Sequence, residues 1–440
     1  MEIFILIGIF FVLVFIGAPI AVALGGSTII VALMFNPIPL PVIGQKVYSN
    51  LNHFTLMAVP FFFFAAAFME RGGLVRRLIG MANALVGHFK GGLGMTAVLT
   101  CIFFAAISGS SPATVAAVGS IMYPALLKEN YSEQYAIGAL ATAGSIGILI
   151  PPSIPLILYG FITETSIADL FIAGIIPGLI YGAAMMIVAR VLASKENYVL
   201  RERAEWPERR ELIRQSLPAL MIPFFIVIGI YGFPKIEIDD FYFKGGAIFT
   251  PTEAAIMATM LALVIGMFVY REISLREIPG TFVHAAVRAG MIFWIAANAV
   301  MFGFLITNLG VPKMITDAIL AMELSPWSFL LLINVLLVVV GFFLEGVPTI
   351  LIFVPVLFPA AEAMGIDPVH FGIILVVNIE LGLITPPVGL NLFVGSSISG
   401  LSVMRVFRAT LPWMIATIFT LILVTYVPQV SLFLPQLMNF

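Results

Sequence analysis

The sequence predicts an all-α polytopic membrane protein built as two inverted repeats, each with a re-entrant helical hairpin and a broken helix. Three observations predict it. First, 61% of the 440 residues are hydrophobic and only 10% are charged, against about 45–50% and about 25% in a soluble domain. Second, Gly and Pro interrupt the apolar runs at corresponding places in the two halves. Third, Lys and Arg collect on one face only if the halves are inverted copies. The composition excludes a soluble globular enzyme, and a net charge of −2 leaves no basic footprint for nucleic acid. Cys101 is the single cysteine, which excludes an internal disulfide and a cysteine metal cluster.

A membrane span needs about 20 apolar residues, so the chain has room for roughly a dozen crossings. Only Glu2 precedes the first apolar core and no small-residue cleavage motif follows, so the start reads as a retained helix. Run 3–35 carries Gly17-Ala18-Pro19, which makes it one kinked helix or two short ones. Runs follow at about 50–69, 92–127, 134–163 and 168–190. Segment 72–90 is amphipathic with basic residues on one side, which suits a helix lying along the membrane surface. The longest polar stretch, 193–216, reads as a solvent-exposed linker helix between a first repeat, 1–192, and a second, 217–440. The second half has runs at 217–234, 247–270, 283–307, 326–361, 369–399 and 409–427. Glu253 follows Thr250-Pro251 and reads as a first-turn charge.

The halves align at a near-constant offset. Gly147-Ile148-Leu149-Ile150-Pro151-Pro152 matches Gly382-Leu383-Ile384-Thr385-Pro386-Pro387 at 235. The same offset takes Gly160 to Gly395 and Pro177 to Pro412, while 236 takes Pro112 to Pro348 and 237 takes Gly73 to Gly310. With the linker cytoplasmic and 92–127 and 326–361 as re-entrant hairpins, four of the 21 Lys and Arg fall outside: Lys46, Lys235, Lys244 and Lys313. The other 17 fall inside, as the positive-inside rule asks of inverted copies. The C-terminus then lies outside. Arg288 and His284 read as interfacial, so no intramembrane arginine marks a carboxylate partner.

Four breaks carry the chemistry. Two are hairpin tips, SGSSPAT at 108–114 and LEGVPT at 344–349; two lie inside helices, 134–163 and 369–399. Proline has no N–H and displaces the carbonyl four residues earlier from its helical bond. Glycine permits turns closed to other residues. The results are unpaired carbonyl oxygens, which suit a hard cation, and half-helix N-termini, which attract anions. Paired breaks in inverted repeats point to a transporter site. Ser108, Ser110 and Ser111 concentrate three hydroxyls beside Pro112, either as ligands or as a helix cap. Among acids in apolar runs, Glu345 on a tip and Glu380 beside a break stand out. Each either lines the site or orients local backbone amides. None of the seven lysines is followed by Ser or Thr, so there is no phosphate-binding loop of an ATP-driven pump. No His, Asp and Glu cluster has metal spacing, and no GxSxG elbow occurs.

Several stretches resemble one family closely. They are SGSSPATVAAVGSIMYPAL (108–126), ATAGSIGILIPPSIPLILYG (141–160), ADLFIAGIIPG (168–178), EGVPTILIFVPVLFPAA (345–361) and ITPPVGLNLFV (384–394). The chain resembles the large membrane subunit of tripartite ATP-independent periplasmic (TRAP) transporters, in its unfused form. The resemblance implies an elevator-type secondary transporter of the bacterial inner membrane, in which a transport domain slides past a fixed scaffold. It implies Na⁺ coupling, an organic acid substrate such as a C4-dicarboxylate or sialic acid, a periplasmic substrate-binding protein and a small four-helix membrane subunit. It implies no enzyme activity and no cofactor besides the coupling Na⁺. Carried over, one Na⁺ site comprises Ser108, Ser110, Gly144, Gly147 and Pro151, and a second Gly341, Glu345, Thr349, Gly382 and Thr385. Substrate contacts fall on Ser111, Pro112, Ser153, Pro348, Pro387 and Asn391. H⁺ coupling on the same fold and a passive channel are the competing expectations.

Overall fold

The structure is a computed structural model that describes residues 2–35, 37–194, 198, 202–232, 236–238, 241–243 and 247–438. Run 3–35 forms two helices, α1 (Glu2–Phe15) and α2 (Ile20–Phe35), packed on each other about a turn at Gly17, whose φ of 89° suits glycine. Next come α3 (Leu40–Leu51), α4 (Ala58–Arg71) and the amphipathic α5 (Leu74–Val86). Helices α6 (Gly92–Ser108) and α7 (Ser111–Lys128) form the first hairpin. The first broken helix is α8 (Glu133–Ala143), a 3₁₀ turn Gly144–Ile148, then α9 (Ile154–Thr163). Helix α10 (Ile167–Ala193) closes the first half.

The second half begins with α11 (Trp206–Tyr231), strands β1 (Ile236–Ile238) and β2 (Phe241–Phe243), α12 (Pro251–Val264) and the long α13 (Ile278–Asn308). Then come α14 (Val311–Ala321) and the second hairpin, α15 (Pro326–Gly341) with α16 (Gly346–Ala363). The second broken helix is α17 (Pro368–Leu383) and α18 (Leu390–Ser399), followed by α19 (Val403–Thr410), α20 (Met414–Tyr426) and α21 (Gln429–Met438).

The repeat is visible in these elements. Both amphipathic helices, α5 and α14, start just after a glycine in the left-handed region, Gly73 (φ 71°) and Gly310 (φ 74°). Both breaks carry a cis peptide, Pro151-Pro152 and Pro386-Pro387. Helix α7 starts at Ser111 and α16 at Gly346, so the hairpin tips align at 235. The proline-based offset of 236 is therefore corrected: Pro112 and Pro348 both lie in first turns but one position apart.

The all-α class holds, with one short strand pair added: β1 and β2 pair antiparallel, with Ile236 opposite Phe243 and Ile238 opposite Phe241. These β-branched and aromatic residues favour extended chain. Other expectations change too. The stretch 193–216 is not one helix. Helix α10 ends at Ala193, residues 202–205 are non-helical, and α11 begins at Trp206 because Pro207 suits a first helical turn. Residues 195–197 and 199–201 of that stretch lie outside the described residues, as do Lys235 and Lys244. Pro177 sits inside continuous α10, whereas its counterpart Pro412 falls in the interruption between α19 and α20. Six described helices are long and apolar enough to cross a membrane, or eight counting two bent pairs, fewer than a dozen. Most hairpin and broken-helix segments are too short to count alone.

The two halves interlock. Helix α18 packs on α7, the first hairpin, and α16, the second hairpin, packs on α9. Each broken helix thus sends the part beyond its break to the other repeat's hairpin. Helices α2, α3 and α4 pack along α13, and α11 and α4 along α12, forming a wall that meets the second hairpin where α13 packs on α16.

Candidate functional site

Each hairpin tip is seated on its own repeat's break. At the first tip, Gly109 takes φ 60°, and its carbonyl accepts the backbone N–H of Ile154 at 3.3 Å. The Ser110 carbonyl accepts the Thr114 hydroxyl at 2.9 Å and the Ser108 hydroxyl at 3.3 Å. The Ser108 and Thr114 hydroxyls lie 2.8 Å apart. Gly147 closes on this cluster: a Cβ there would lie 2.6 Å from Thr114 Oγ1 and 2.8 Å from the Ser110 carbonyl oxygen. Three protein oxygens are thus gathered where only a glycine lets the break approach. At the second tip, the Glu345 carbonyl accepts the Thr349 hydroxyl at 2.8 Å, 235 residues on from the Ser110–Thr114 bond. A Cβ on Gly382 would lie 2.8 Å from Gly341 Cα. The Phe342 carbonyl accepts the Val388 N–H at 3.0 Å.

The sites named from the sequence divide accordingly. The structure brings together Ser108, Ser110 and Gly147 in one cluster, and Gly341 and Gly382 in the other, with Glu345 and Thr349 on the same tip. Gly144 instead faces Val115, one turn further along α7. Pro151 is buried in its break and is not among the groups that meet at the tip. Thr385 donates its hydroxyl to the Leu381 carbonyl at 2.7 Å, within its own break. Thr114 belongs to the first cluster although it was not singled out; its place one turn after Ser110 on a helix start was the available signal.

Both tips face one cavity of about 440 Å³. Its wall includes the first residues of four helices: Ser111-Pro112 of α7, Ile154-Pro155 of α9, Gly346-Val347 of α16 and Leu390 of α18. Helices α7, α16 and α18 have no side-chain cap on their first-turn N–H groups. Each helix N-terminus carries roughly half a positive charge, so four aimed at one space favour an anion. Glu70, Arg288 and Glu345 are the charged side chains in the wall. The two carboxylates would repel an anion unless cations accompany it.

Of the expected substrate residues, Ser111 and Pro112 line the cavity. Asn391 stands behind it: fully buried on α18, its amide donates to the Ser111 hydroxyl at 2.8 Å and the Ala141 carbonyl at 3.0 Å. Ser153 is spent as a cap, accepting the Leu156 N–H at 3.3 Å and donating to the Ile148 carbonyl. Pro348 is buried in the first turn of α16, and Pro387 lies outside the lining. Glu345 lines the cavity and makes no side-chain cap. Glu380 does neither of the things expected of it. It is fully buried and outside the cavity lining, and neither carboxyl oxygen has a hydrogen-bond partner among the described residues. Helical phase explains this, since Ile379 and Leu383 occupy the cavity-facing stripe of α17.

A second cavity of about 560 Å³ shares Phe63, Glu70, Ala113 and Arg288 with the first and continues to Arg71, Glu272 and Glu277. There Arg71 pairs with Glu277 at 2.6 Å, and Arg77 with Glu272 at 2.7 Å. The Ser274 backbone N–H, then Arg71 and the Ser274 hydroxyl, hold the Glu277 carboxyl down to about 2. Arg288 and His284 line this connected space.

This geometry joins inverted breaks, oxygen-rich tips and an anion-favouring cavity. Residues 7–430 match the family described as the tripartite ATP-independent periplasmic transporter, DctM component. The chain belongs to that family. It is 44% identical to the C4-dicarboxylate TRAP transporter large permease protein DctM of Pseudomonas aeruginosa, over 94% of each chain. It is 37% identical to the protein of that name from Rhodobacter capsulatus, over 100% of each. It is 33% identical to the sialic acid TRAP transporter large permease protein SiaM of Vibrio cholerae, over 97% of this chain and 96% of that one. The fold of this DctM-family chain is shared with the YdaH transporter of Alcanivorax borkumensis: TM-score 0.59, 14% identity, 88% of each chain covered. It is shared also with MtrF of Neisseria gonorrhoeae: TM-score 0.56, 12% identity, 90% of this chain and 84% of that one.

Proposed function

We propose that this chain is the large permease of a Na⁺-coupled importer of organic acid anions. The observation that carries the reading is the convergence of four helix N-termini on one cavity flanked by two oxygen-lined tip–break junctions. The N-termini favour an anion, and the tip hydroxyls and carbonyls suit Na⁺. Glu70 and Glu345 in the wall make anion entry dependent on the accompanying cations. A C4-dicarboxylate is the favoured class, since relatives named for it are 37–44% identical and relatives named for sialic acid 31–33%. A periplasmic binding protein delivers the anion, and a small four-helix membrane subunit completes the complex. The hairpins and broken helices move as an elevator against the wall built on α4, α12 and α13. The basic end that carries Arg71, Arg77 and Arg276 faces the cytoplasm, so the second cavity is the inward vestibule, and the C-terminus is periplasmic. The bacterial inner membrane is its location.

The test is uptake of succinate into proteoliposomes holding the permease, its small subunit and a binding protein. Ser108→Ala with Ser110→Ala should abolish Na⁺-dependent uptake while leaving membrane insertion intact. Full uptake by that variant sinks the reading. Retained transport with choline in place of Na⁺ at fixed pH would favour protons, and flux that never concentrates succinate would favour a passive channel.

A further inference from the structure

Helix α13 presents one continuous stripe to both cavities. Thr281, His284 and Ala285 line the vestibule, and Met291, Ile292 and Ile295 the central cavity. The spacing of three and four residues is that of one helical face. Arg288 is the point where the two sets meet and lines both spaces. Arg71 in the same vestibule is already held by Glu277 at 2.6 Å. Arg288 makes no ion pair or hydrogen bond among the described residues. An exposed guanidinium without a partner, at the neck of a cavity that favours anions, lacks only a planar or tetrahedral oxyanion to bind it by two parallel N–H groups.

We infer that Arg288 is a substrate-binding residue that takes one oxyanion group, carboxylate or sulfonate, as the anion passes between the central cavity and the inward vestibule. This rests on the proposed anion transport. Arg288 belongs to α13, which is itself neither hairpin nor broken helix but packs on α2, α3, α4 and the hairpin helix α16. Its hold on the anion belongs to the state in which the central cavity communicates with the vestibule. Glu70, the other charged residue shared by both spaces, repels the same oxyanion and keeps the hold from becoming a trap.

The experiment compares wild type, Arg288→Gln and Arg288→Lys in complex with the small subunit. Succinate binding is read by thermal shift in detergent, and half-saturation by succinate exchange measured from each side of proteoliposomes. Arg288→Gln should weaken succinate about tenfold or more on the cytoplasmic, vestibule side only. Arg288→Lys should restore part of that, and the melting temperature without succinate and the half-saturating Na⁺ should not move. Unchanged succinate half-saturation in Arg288→Gln overturns the assignment, as does an equal loss on both sides or a changed Na⁺ response. If wild type exchanges succinate without Na⁺, the coupling reading falls while this comparison still decides the role of Arg288.

Discussion

Gly382→Ala isolates the second tip–break junction. The added Cβ would lie 2.8 Å from Gly341 Cα, 2.9 Å from its carbonyl oxygen and 3.0 Å from its carbonyl carbon. Carbon atoms in contact sit about 3.5–4.0 Å apart, so the approach is short by about 0.7–1.2 Å. All three obstacles are backbone, and no rotamer change relieves them. Hairpin and break must separate by about that distance. The Phe342 carbonyl then loses the Val388 N–H, now at 3.0 Å. Overpacking costs about 1–3 kcal/mol and the lost hydrogen bond about 1 kcal/mol. Together, about 2–4 kcal/mol reduces the population of the seated junction roughly 30- to 700-fold. The assay is thermal melting of the purified protein in sodium chloride and in choline chloride, with Na⁺-driven uptake in proteoliposomes alongside. Gly382→Ala should melt lower, lose the stabilisation given by Na⁺ and transport poorly. Gly290→Ala is the control. Nothing lies within 4 Å of a Cβ there, and alanine favours a helix interior by about 1 kcal/mol, so it should melt no lower than wild type. A Gly382→Ala protein with wild-type melting and an intact Na⁺ response would refute the reasoning.

Two further outcomes are expected. The Glu277 carboxyl is depressed in the folded state, so its contribution to stability is present above the ordinary carboxylate range and fades as pH falls toward about 2. Glu277→Gln should therefore melt below wild type at pH 7, with the gap narrowing as pH drops below about 4.5; a gap that widens in acid contradicts the Ser274 and Arg71 bonding. Glu380→Met removes two buried oxygens that have no partner among the described residues, which should raise stability by about 1–3 kcal/mol, read as a higher melting temperature. A clear fall in melting temperature would mean that the carboxyl is satisfied in the native protein.

Much of this protein was legible in the residues because its strongest signals are local. Composition set the membrane class, since apolar runs of span length need no partner to be recognised. Proline and glycine chemistry located the breaks, and their repeated spacing revealed the two copies. The hydroxyl-rich tip SGSSPAT was visible for the same reason. Even Glu253 was placed correctly, as the first-turn acid of a capping box with Thr250. The start of α11 within 193–216 was less legible, because a polar exposed stretch carries no apolar period to mark where a helix begins.

Which faces meet was decided only by the tertiary structure. Ser111 and Asn391 join across 280 residues, and no spacing in the chain announces that contact. Glu345 and Glu380 looked alike as acids beside breaks, yet one lines the cavity and the other stands outside its lining. Arg288 looked interfacial from its position along the chain, and α13 places it at the neck between two cavities. The physical reason is the same in each case. A run of sequence fixes that a helix forms and where it breaks, whereas its rotation about its own axis is fixed by the neighbours it packs against.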